Sequence, residues 1–420
     1  MQPLTSDNLR VDDFVPLRRS LRVAVVTETY PPEVNGVAVT ISRVIDGLRQ
    51  NRHDVQLVRP RQSALDQGRD ADSGGNPPLR EVLLRGLPIP RYPQLKMGMP
   101  CKRALLSLWT RARPDVVHLV TEGPLGWSAL AAATQLKLPV VSDFRTNFHA
   151  YSRHYGVAWL HNAIMAYLRA FHNRTACTMV PTVALQQQLA ASGFRNLQVV
   201  ARGVDTRLFD PARRSAERRR AWGADEHTTV VLCVGRLAPE KNLMALATAW
   251  AAMQATAPRC KLVLVGDGPA RDALQARLPD AVFAGLRHGE DLAAHYASAD
   301  VFLFPSVTET FGNVVPEAMA SGLAVVAYDY AAAAQLIRHG DSGLLAGYDN
   351  IEQLVHAAQR SVADRSAARA MGRQARAVAQ CLNWDRIIGL IEARYDDAIR
   401  ATCQGSLDAP SAGGVLPAQL

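Results

Sequence analysis

No run in this 420-residue chain approaches the roughly 18 apolar residues that a membrane-spanning helix needs, and its first residues lack the apolar stretch of a secretory signal. The expectation is a protein that dissolves in water or lies on a membrane without crossing it. Cysteine is sparse: Cys101, Cys177, Cys233, Cys260, Cys381 and Cys403 stand far apart, with no C-x-x-C and no Cys/His cluster of zinc-binding spacing. That excludes a disulfide scaffold and a zinc finger, and it reads as the reduced thiols of a cytosolic protein. Aromatic residues make up only 6% of the chain. They build no stacking platform interleaved with basic residues, and no nucleic-acid reading motif is recognisable. No internal repeat is visible beyond the doubling of fold described below.

The remaining composition is that of globular domains: 48% hydrophobic, 20% charged, 28 Gly and 24 Pro. At about 150 residues per domain the length calls for two. The net charge of +9 is unevenly placed. Residues 1–200 carry 24 Lys+Arg against 14 Asp+Glu, and the other 220 carry 23 against 24. Charge alone fits nucleic acid, an anionic membrane or a phosphorylated ligand.

After a polar leader over 1–20, Leu21–Thr27 (LRVAVVT) reads as a buried strand ending in a turn at Pro31, Pro32 and Gly36. A helix over Val37–Arg52 and a strand over Asp54–Arg59 come next. Strands near Val82–Leu84, Val116–Leu119, Val140–Asp143, Thr178–Val180 and Gln198–Val200 then alternate with helices around Cys101–Ala112, Leu125–Leu136, Ala158–Thr175 and Val183–Ser192. The pattern restarts at Val230–Val234 (VVLCV), with strands at Lys261–Val265, Val282–Ala284, Val301–Phe304 and Ala324–Ala327. Strand–helix alternation means parallel βαβ units. The expected fold is therefore α/β: two doubly wound domains over 21–203 and 204–383, facing a cleft at the carboxyl ends of their strands. A last helix, Trp384–Arg400 within 384–403, is expected to pack back on the first domain, and 404–420 reads as a disordered tail.

Three strand-end loops carry chemistry. In Ser306–Gly322 (SVTETFGNVVPEAMASG), Glu309 and Glu317 stand eight apart, about 80° around one continuous helix. Gly312 breaks the segment and Pro316 suits a first helical position. Glu309 is therefore placed on the loop and Glu317 in the first turn of the next helix. The amides of Phe311, Gly312 and Asn313 then border a helix start, which accepts anions or sugar oxygens. Two carboxylates with no metal-ligand partners suit pairs of hydroxyls; equally, Glu317 can merely favour the helix dipole with Glu309 in solvent. In Gly235–Asn242 (GRLAPEKN), Arg236 and Lys241 can neutralise a diphosphate or stand as two solvated charges in a turn. In Thr29–Val37 (TYPPEVNGV), Gly36 permits close backbone approach to a phosphate, or simply connects strand to helix.

Together these loops, with Gly285–Pro305 (GLRHGEDLAAHYASADVFLFP), resemble the retaining nucleotide-sugar glycosyltransferases of family 4, with the GT-B fold, and among them the GDP-mannose-dependent α-mannosyltransferases and related glycolipid glycosyltransferases. The likeness runs from about Leu21 to Arg400. It implies that Arg236 and Lys241 hold the donor diphosphate. Glu309 takes donor-sugar hydroxyls with Thr310 and the amides of Phe311, Gly312 and Asn313. Glu317 takes the ribose, and Asn35 and Gly36 meet the donor from the other side. No metal or other cofactor is implied. The expected partners are a nucleoside-diphosphate sugar and a lipid or glycan acceptor.

Two departures stand out. Many relatives carry histidine in a His-Thr-Asn context where this chain reads SDFRTNFHAYSRHYG, so Arg145 takes that position, with His149 four residues on. Both are counted as candidate catalytic residues, and Arg145 favours an acidic donor sugar or acidic acceptor, or else forms an ion pair in the cleft wall. The second departure is YDYAAAAQLI over Tyr328–Ile337, where relatives often have a Gly-Gly pair.

Other signals are set aside. Asp70-Ala71-Asp72 lies in a Gly/Ser-rich loop with no strand before it. Gly266-Asp267-Gly268-Pro269 lacks the third glycine of a dinucleotide fingerprint, His118 reads as a satisfied core histidine, and Arg213–Arg220 reads as a solvated helix face. A transferase is the leading function, with a nucleotide-sugar 2-epimerase or a UDP-sugar-dependent glycolipid synthase as alternatives. The basic N-terminal half is expected to dock on anionic lipid through Arg18, Arg19, Arg22 and the arginines within 52–113. That implies a cytoplasmic protein peripheral to the inner membrane face.

Overall fold

The computed structural model describes residues 19–33, 35–63, 66, 77, 79–89, 92–145 and 161–407. The first half runs β1 (Arg22–Val26), α1 (Gly36–Gln50), β2 (Asp54–Pro60), β3 (Arg80–Leu84), β4 (Gly86–Ile89), β5 (Tyr92–Gly98), α2 (Lys102–Arg111), β6 (Val116–Leu119), α3 (Pro124–Gln135), β7 (Val140–Asp143), α4 (His161–His172), β8 (Cys177–Val180), α5 (Val183–Ala191) and β9 (Leu197–Val199). Seven of these strands form one sheet in the order β3-β2-β1-β6-β7-β8-β9, every neighbouring pair parallel.

The second half runs α6 (Ala216–Ala221), β10 (Thr229–Val234), α7 (Leu243–Thr256), β11 (Cys260–Val265), α8 (Arg271–Arg277), β12 (Val282–Gly285), α9 (Gly289–Ser298), β13 (Val301–Phe304), α10 (Val314–Ala320), β14 (Ala324–Tyr328), α11 (Ala331–Leu336), β15 (Gly343–Ala346), α12 (Ile351–Ala363), α13 (Arg365–Gln380) and α14 (Trp384–Leu407). Its sheet, also parallel, is ordered β12-β11-β10-β13-β14-β15. These are the two Rossmann-like halves that the strand–helix alternation implies. Strands such as Thr229–Val234 are buried along their whole length, because helices cover both faces of a parallel sheet. Each order reverses beside its first strand, between β1 and β6 and between β10 and β13, and a doubly wound sheet takes its ligand in that crevice.

The structure departs from the sequence reading at particular elements. The antiparallel pair β4–β5 and the edge strand β15 were not anticipated. Gly86 and Pro88 mark β4 as a loop, and GLLA has no β-branched or aromatic residue to mark it as a strand. The last helix, expected to end at Arg400, continues to Leu407. It lays Ile387, Ile388, Ile391 and Tyr395 into the cluster built by Leu21, Val25, Ile41 and Ile45 of the first half, each isoleucine worth about 1.5–3 kcal/mol once out of water. Gly47 of α1 makes the approach possible, since a Cβ there would fall 2.5 Å from Ile388 Cγ1. Glu392 closes the contact, accepting from Asn51 Nδ2 at 2.5 Å and lying 3.0 Å from His53 Nε2.

Arg213–Arg220 is a solvated face only in part: Arg214, Glu217 and Arg220 are exposed, but the run is anchored through paired arginines. Arg219 is 4% exposed, donates to the carbonyls of Ser298, Asp225 and Thr228, and lies 3.1 Å from Asp300. Arg214 meets the other Asp300 oxygen at 2.8 Å, and Arg218 meets Asp291 at 2.7 Å. The acidic partners come from α9 and the residue before β13, so nothing near the arginine run in sequence shows that it is paired.

Candidate functional site

The strands flanking the second switch point feed the two loops that hold the charged residues. β10 leads into Gly235, and the loop beyond it is seated on the Gly266-Asp267-Gly268 turn: Leu237 N–H donates to the Asp267 carbonyl at 2.9 Å and Ala270 N–H to the Leu237 carbonyl at 2.9 Å. Gly266 has φ +135°, and a Cβ there would stand 1.9 Å from the Gly235 carbonyl oxygen. That glycine turn, discounted as a nucleotide fingerprint, is the platform beneath the Arg236–Lys241 loop.

Arg236, about half exposed, pairs with the carboxylate of Glu240, which is buried. One short turn (Pro239–Lys241) later, Lys241 Nζ lies 2.5 Å from Glu309 Oε1. Glu309 also accepts from Ser306 Oγ at 2.8 Å, and its carbonyl accepts from Tyr330 at 2.8 Å. Thr308 Oγ1 donates to the Glu240 carbonyl at 2.8 Å. The loops after β10 and β13 are thus stitched together, with a lysine, an arginine and a carboxylate at their meeting point. Lys241 and Glu309 are largely shielded from solvent, where an ion pair is stronger than at the surface.

Thr310 is partly exposed beside Glu309, and Phe311 is buried. α10 starts at Val314, so Pro316 is its third residue rather than its first; its missing N–H falls among the donors that have no intrahelical partner. Glu317 follows in the first turn. Tyr296 OH donates to its Oε2 at 3.0 Å. Burial pushes the Glu317 carboxyl up to about 7, with the Tyr296 bond acting the other way.

The first half meets this site through the start of α1. Asn35 is its N-cap, accepting from the N–H groups of Val37 at 3.1 Å and Ala38 at 2.8 Å, while its amide donates to Thr29 Oγ1 at 2.6 Å. Its side chain is therefore engaged in holding the helix start. A Cβ on Gly36 would lie 3.7 Å from Asn313 Nδ2, and that amide reaches Thr40 Oγ1 at 3.3 Å. The loops after β1 and β13 consequently face each other across the crevice.

Arg145 lies at the wall of the same crevice, 9% exposed, with Nε and Nη2 both 2.5 Å from Asp143 Oδ2. Asp143 also lies 2.9 Å from His118 Nε2, and Tyr395 OH of α14 is 2.8 Å from His118 Nδ1. Burial alone would raise the Asp143 carboxyl, but Arg145 and then His118 override it and hold it well below the usual range. His118 is fully buried and bonded, as expected of a core histidine. His149, Asp70 and Asp72 lie outside the described residues. Among the described residues, no three His, Cys, Asp or Glu side chains group as metal ligands, and no helix is long and apolar enough to cross a membrane.

Sequence reading missed Arg202. It leaves β9 beside Ala201, places Nη1 3.4 Å from Asn313 Oδ1, and holds its guanidinium 5.8 Å from the Phe311 ring centroid. Burial, then the Arg145 charge, lower it to about 9, opposed by Asp143 and Glu309. The one available signal was a lone arginine in ARGVD, where the chain passes between halves. The alanine run that replaces the expected glycine pair has a visible cost. Ala331 carries φ +52°, a conformation that disfavours any side chain by roughly 1–2 kcal/mol.

Comparison with known proteins gives the same reading. Residues 34–208 match the family Glycosyltransferase Family 4, and residues 228–364 match Glycosyl transferases group 1. A GDP-mannose-dependent alpha-mannosyltransferase of Mycobacterium tuberculosis (strain CDC 1551 / Oshkosh) is 37% identical over 82% of this chain and 93% of its own length. A GDP-mannose-dependent alpha-(1-6)-phosphatidylinositol monomannoside mannosyltransferase of the same strain is 27% identical over 90% of this chain and all of its own. In fold, the chain is similar to Anabaena Alr3699/HepE solved with UDP and glucose, at a TM-score of 0.70, 19% identity, and coverage of 90% of this chain and 99% of that one.

Proposed function

This chain belongs to glycosyltransferase family 4, a hexosyltransferase using a nucleotide-sugar donor, and we propose that it moves a mannosyl group from GDP-mannose to a hydroxyl of a lipid or glycan acceptor, with retention of configuration. The observation that carries the reading is the meeting of Arg236, Lys241 and Glu309 at the second switch point, opposite Gly36. The relatives' names supply the sugar and the base, and they do not favour the epimerase.

In this reading the donor diphosphate takes Lys241 from Glu309 and Arg236 from Glu240, and its phosphate charge is met by these two cations without a metal. Glu309, released, holds sugar hydroxyls together with the amides of Phe311, Gly312 and Asn313. Glu317 gives up its proton and accepts from the ribose. The bond between the anomeric carbon and the β-phosphate oxygen breaks as the acceptor oxygen bonds to the same face of that carbon. The acceptor's proton passes to the departing phosphate, so no protein base is required. The main contribution of these side chains to the rate is electrostatic stabilisation of that leaving group.

The acceptor reaches the site from the first half, where Arg85, Leu87, Lys102, Arg103 and Arg111 are exposed, and in this reading they make up a basic surface. We assign that surface to an anionic membrane, which makes the protein peripheral and cytoplasmic. Thermal-shift screening against GDP-, UDP- and ADP-sugars tests the donor. A ligand at 100 times its Kd stabilises by about 2.7 kcal/mol, and GDP-mannose is expected to do so. Stabilisation by UDP- or ADP-sugars alone overturns the choice of donor.

A further inference from the structure

The first half has a switch point of its own, between β1 and β6, and the transfer chemistry above leaves it unused. Glu28 follows β1 on the loop that goes on to bring Gly36 to Asn313. Its N–H donates to Thr121 Oγ1 at 3.0 Å, just past β6, and its Oε1 accepts from the Leu125 N–H at 3.0 Å, in the first turn of α3. Glu122, buried, stands next to Thr121 and lies 3.2 Å from His172 Nε2. Glu28 makes no ion pair among the described residues. Burial, reinforced by the like charge of Glu122, raises its carboxyl to about 7 against the pull of the Leu125 amide.

Gly123 makes the seat for this carboxylate. It has φ −72°, a backbone that any residue adopts, so it is small for the sake of space: a Cβ there would stand 2.1 Å from Glu28 Oε2. Gly123 is also the N-cap of α3 and offers no side-chain acceptor. Had α3 needed only a cap, serine or aspartate at 123 would supply one locally, without setting a second carboxyl beside Glu122 in a half-buried corner.

An aromatic ring borders the two carboxyls. Tyr167 of α4 is 45% exposed, its OH donates to the Glu122 carbonyl at 2.5 Å, and its ring lies 5.6 Å from that of Trp127. Burial raises the Tyr167 hydroxyl, the Trp127 side chain opposes, and the charges of Glu122 and Glu28 add to the rise, so the ring stands beside both. A carboxyl that shares a proton with solvent near neutral pH both donates and accepts, and beside a second carboxylate it answers a pair of adjacent hydroxyls. An exposed tyrosine ring covers the apolar C–H face of a sugar.

We infer that Glu28, Glu122 and Tyr167 form an acceptor subsite for a carbohydrate or cyclitol ring with adjacent hydroxyls. The acceptor is then a glycosylated or polyol-bearing molecule rather than a plain lipid alcohol. This rests on the reading above that the first half takes the acceptor.

Kinetics on the full-length chain compare dodecyl glucoside with dodecanol as acceptors for GDP-mannose, and saturation-transfer NMR reads methyl glucoside on the protein without donor. The expected result is a kcat/KM at least about tenfold higher for the glucoside, with Glu28→Gln raising its KM by about tenfold while the KM for GDP-mannose moves by about twofold at most. Tyr167→Leu weakens the glucoside in the same sense. The double variant Glu28→Ala with Gly123→Ser separates recognition from capping, because the serine restores a local cap to α3. It is expected to melt at or above Glu28→Ala alone and to keep a raised acceptor KM. Dodecanol serving as well as the glucoside overturns the inference. So does a preference that survives Glu28→Gln, an equal rise in both KM values, or a double variant that recovers the parent KM, which would leave Glu28 a cap alone. Failure of the donor reading shows separately, as no GDP release from GDP-mannose with either acceptor. The NMR arm then still decides the subsite, by a methyl glucoside signal present in the parent and lost in Glu28→Gln, or by its absence in the parent.

Discussion

Glu317 is predicted to weaken the empty fold at neutral pH and to strengthen the donor-bound one. Its carboxyl is raised from 4.5 to about 7 by burial, whereas in the unfolded chain it ionises near its ordinary value. Below that ordinary value both states carry the proton and nothing is lost. As pH rises toward 7 the unfolded chain releases a proton that the folded protein keeps, so stability falls, and above 7 the penalty is constant. At about 1.4 kcal/mol per pH unit the interval is worth roughly 3 kcal/mol. Part of Glu317 reaches solvent, so about 2 kcal/mol is the working figure. Glu317→Gln keeps an acceptor for Tyr296 and removes the ionisation. For a half of this size, 1 kcal/mol shifts Tm by about 2–4 °C. The variant should therefore melt about 4–8 °C above the parent at pH 8, with the gap narrowing at pH 5. Stabilisation by the nucleotide sugar should shrink in the variant, because a neutral amide is a poorer partner for ribose hydroxyls. A variant less stable than the parent at pH 8, or a gap equal at both pH values, would refute the argument.

Three further changes follow from the geometry. Lys241→Ala should lower kcat/KM by roughly 10²–10³-fold in a nucleotide-release assay, the range for losing one preorganised charge partner, while the variant keeps its fold. Arg219→Met removes the donor to the Ser298, Asp225 and Thr228 carbonyls and one of the donors to Asp300, which keeps Arg214 and the Val230 N–H, and should cost about 2–3 kcal/mol in urea unfolding; a cost below about 1 kcal/mol would restore the solvated-face reading. Gly266→Ala puts a Cβ against the Gly235 carbonyl, so activity should fall with stability as the Arg236–Lys241 loop is lifted, and an unchanged donor Kd would show that the glycine turn does not seat that loop.

The strands were legible because a buried parallel strand is a continuous apolar run. VVLCV announces β10 without help from its neighbours. The Glu309–Glu317 segment was legible because Gly312 interrupts it, which separates a loop carboxylate from a helical one. What could not be read depends on distance along the chain. Asp300, the partner of Arg219, stands 81 residues beyond it, and the partner Asn313 stands 111 beyond Arg202. No local pattern marks Arg219 as buried or Arg202 as reaching Asn313. Nor does any local pattern show that Asn35 is occupied as a cap, or that Tyr395 on the last helix supports Asp143 through His118.

The central claim is a retaining transfer in which Lys241 and Glu309 handle the donor. It is tested most directly by following GDP-mannose with an acceptor by NMR, reading GDP release and the anomeric configuration of the new glycoside together in the parent and in Lys241→Ala. The account predicts one GDP released per α-mannoside formed, and near-complete loss of both in the variant. A β-mannoside, donor consumed without GDP release, or a Lys241→Ala protein working at the parent rate would contradict it.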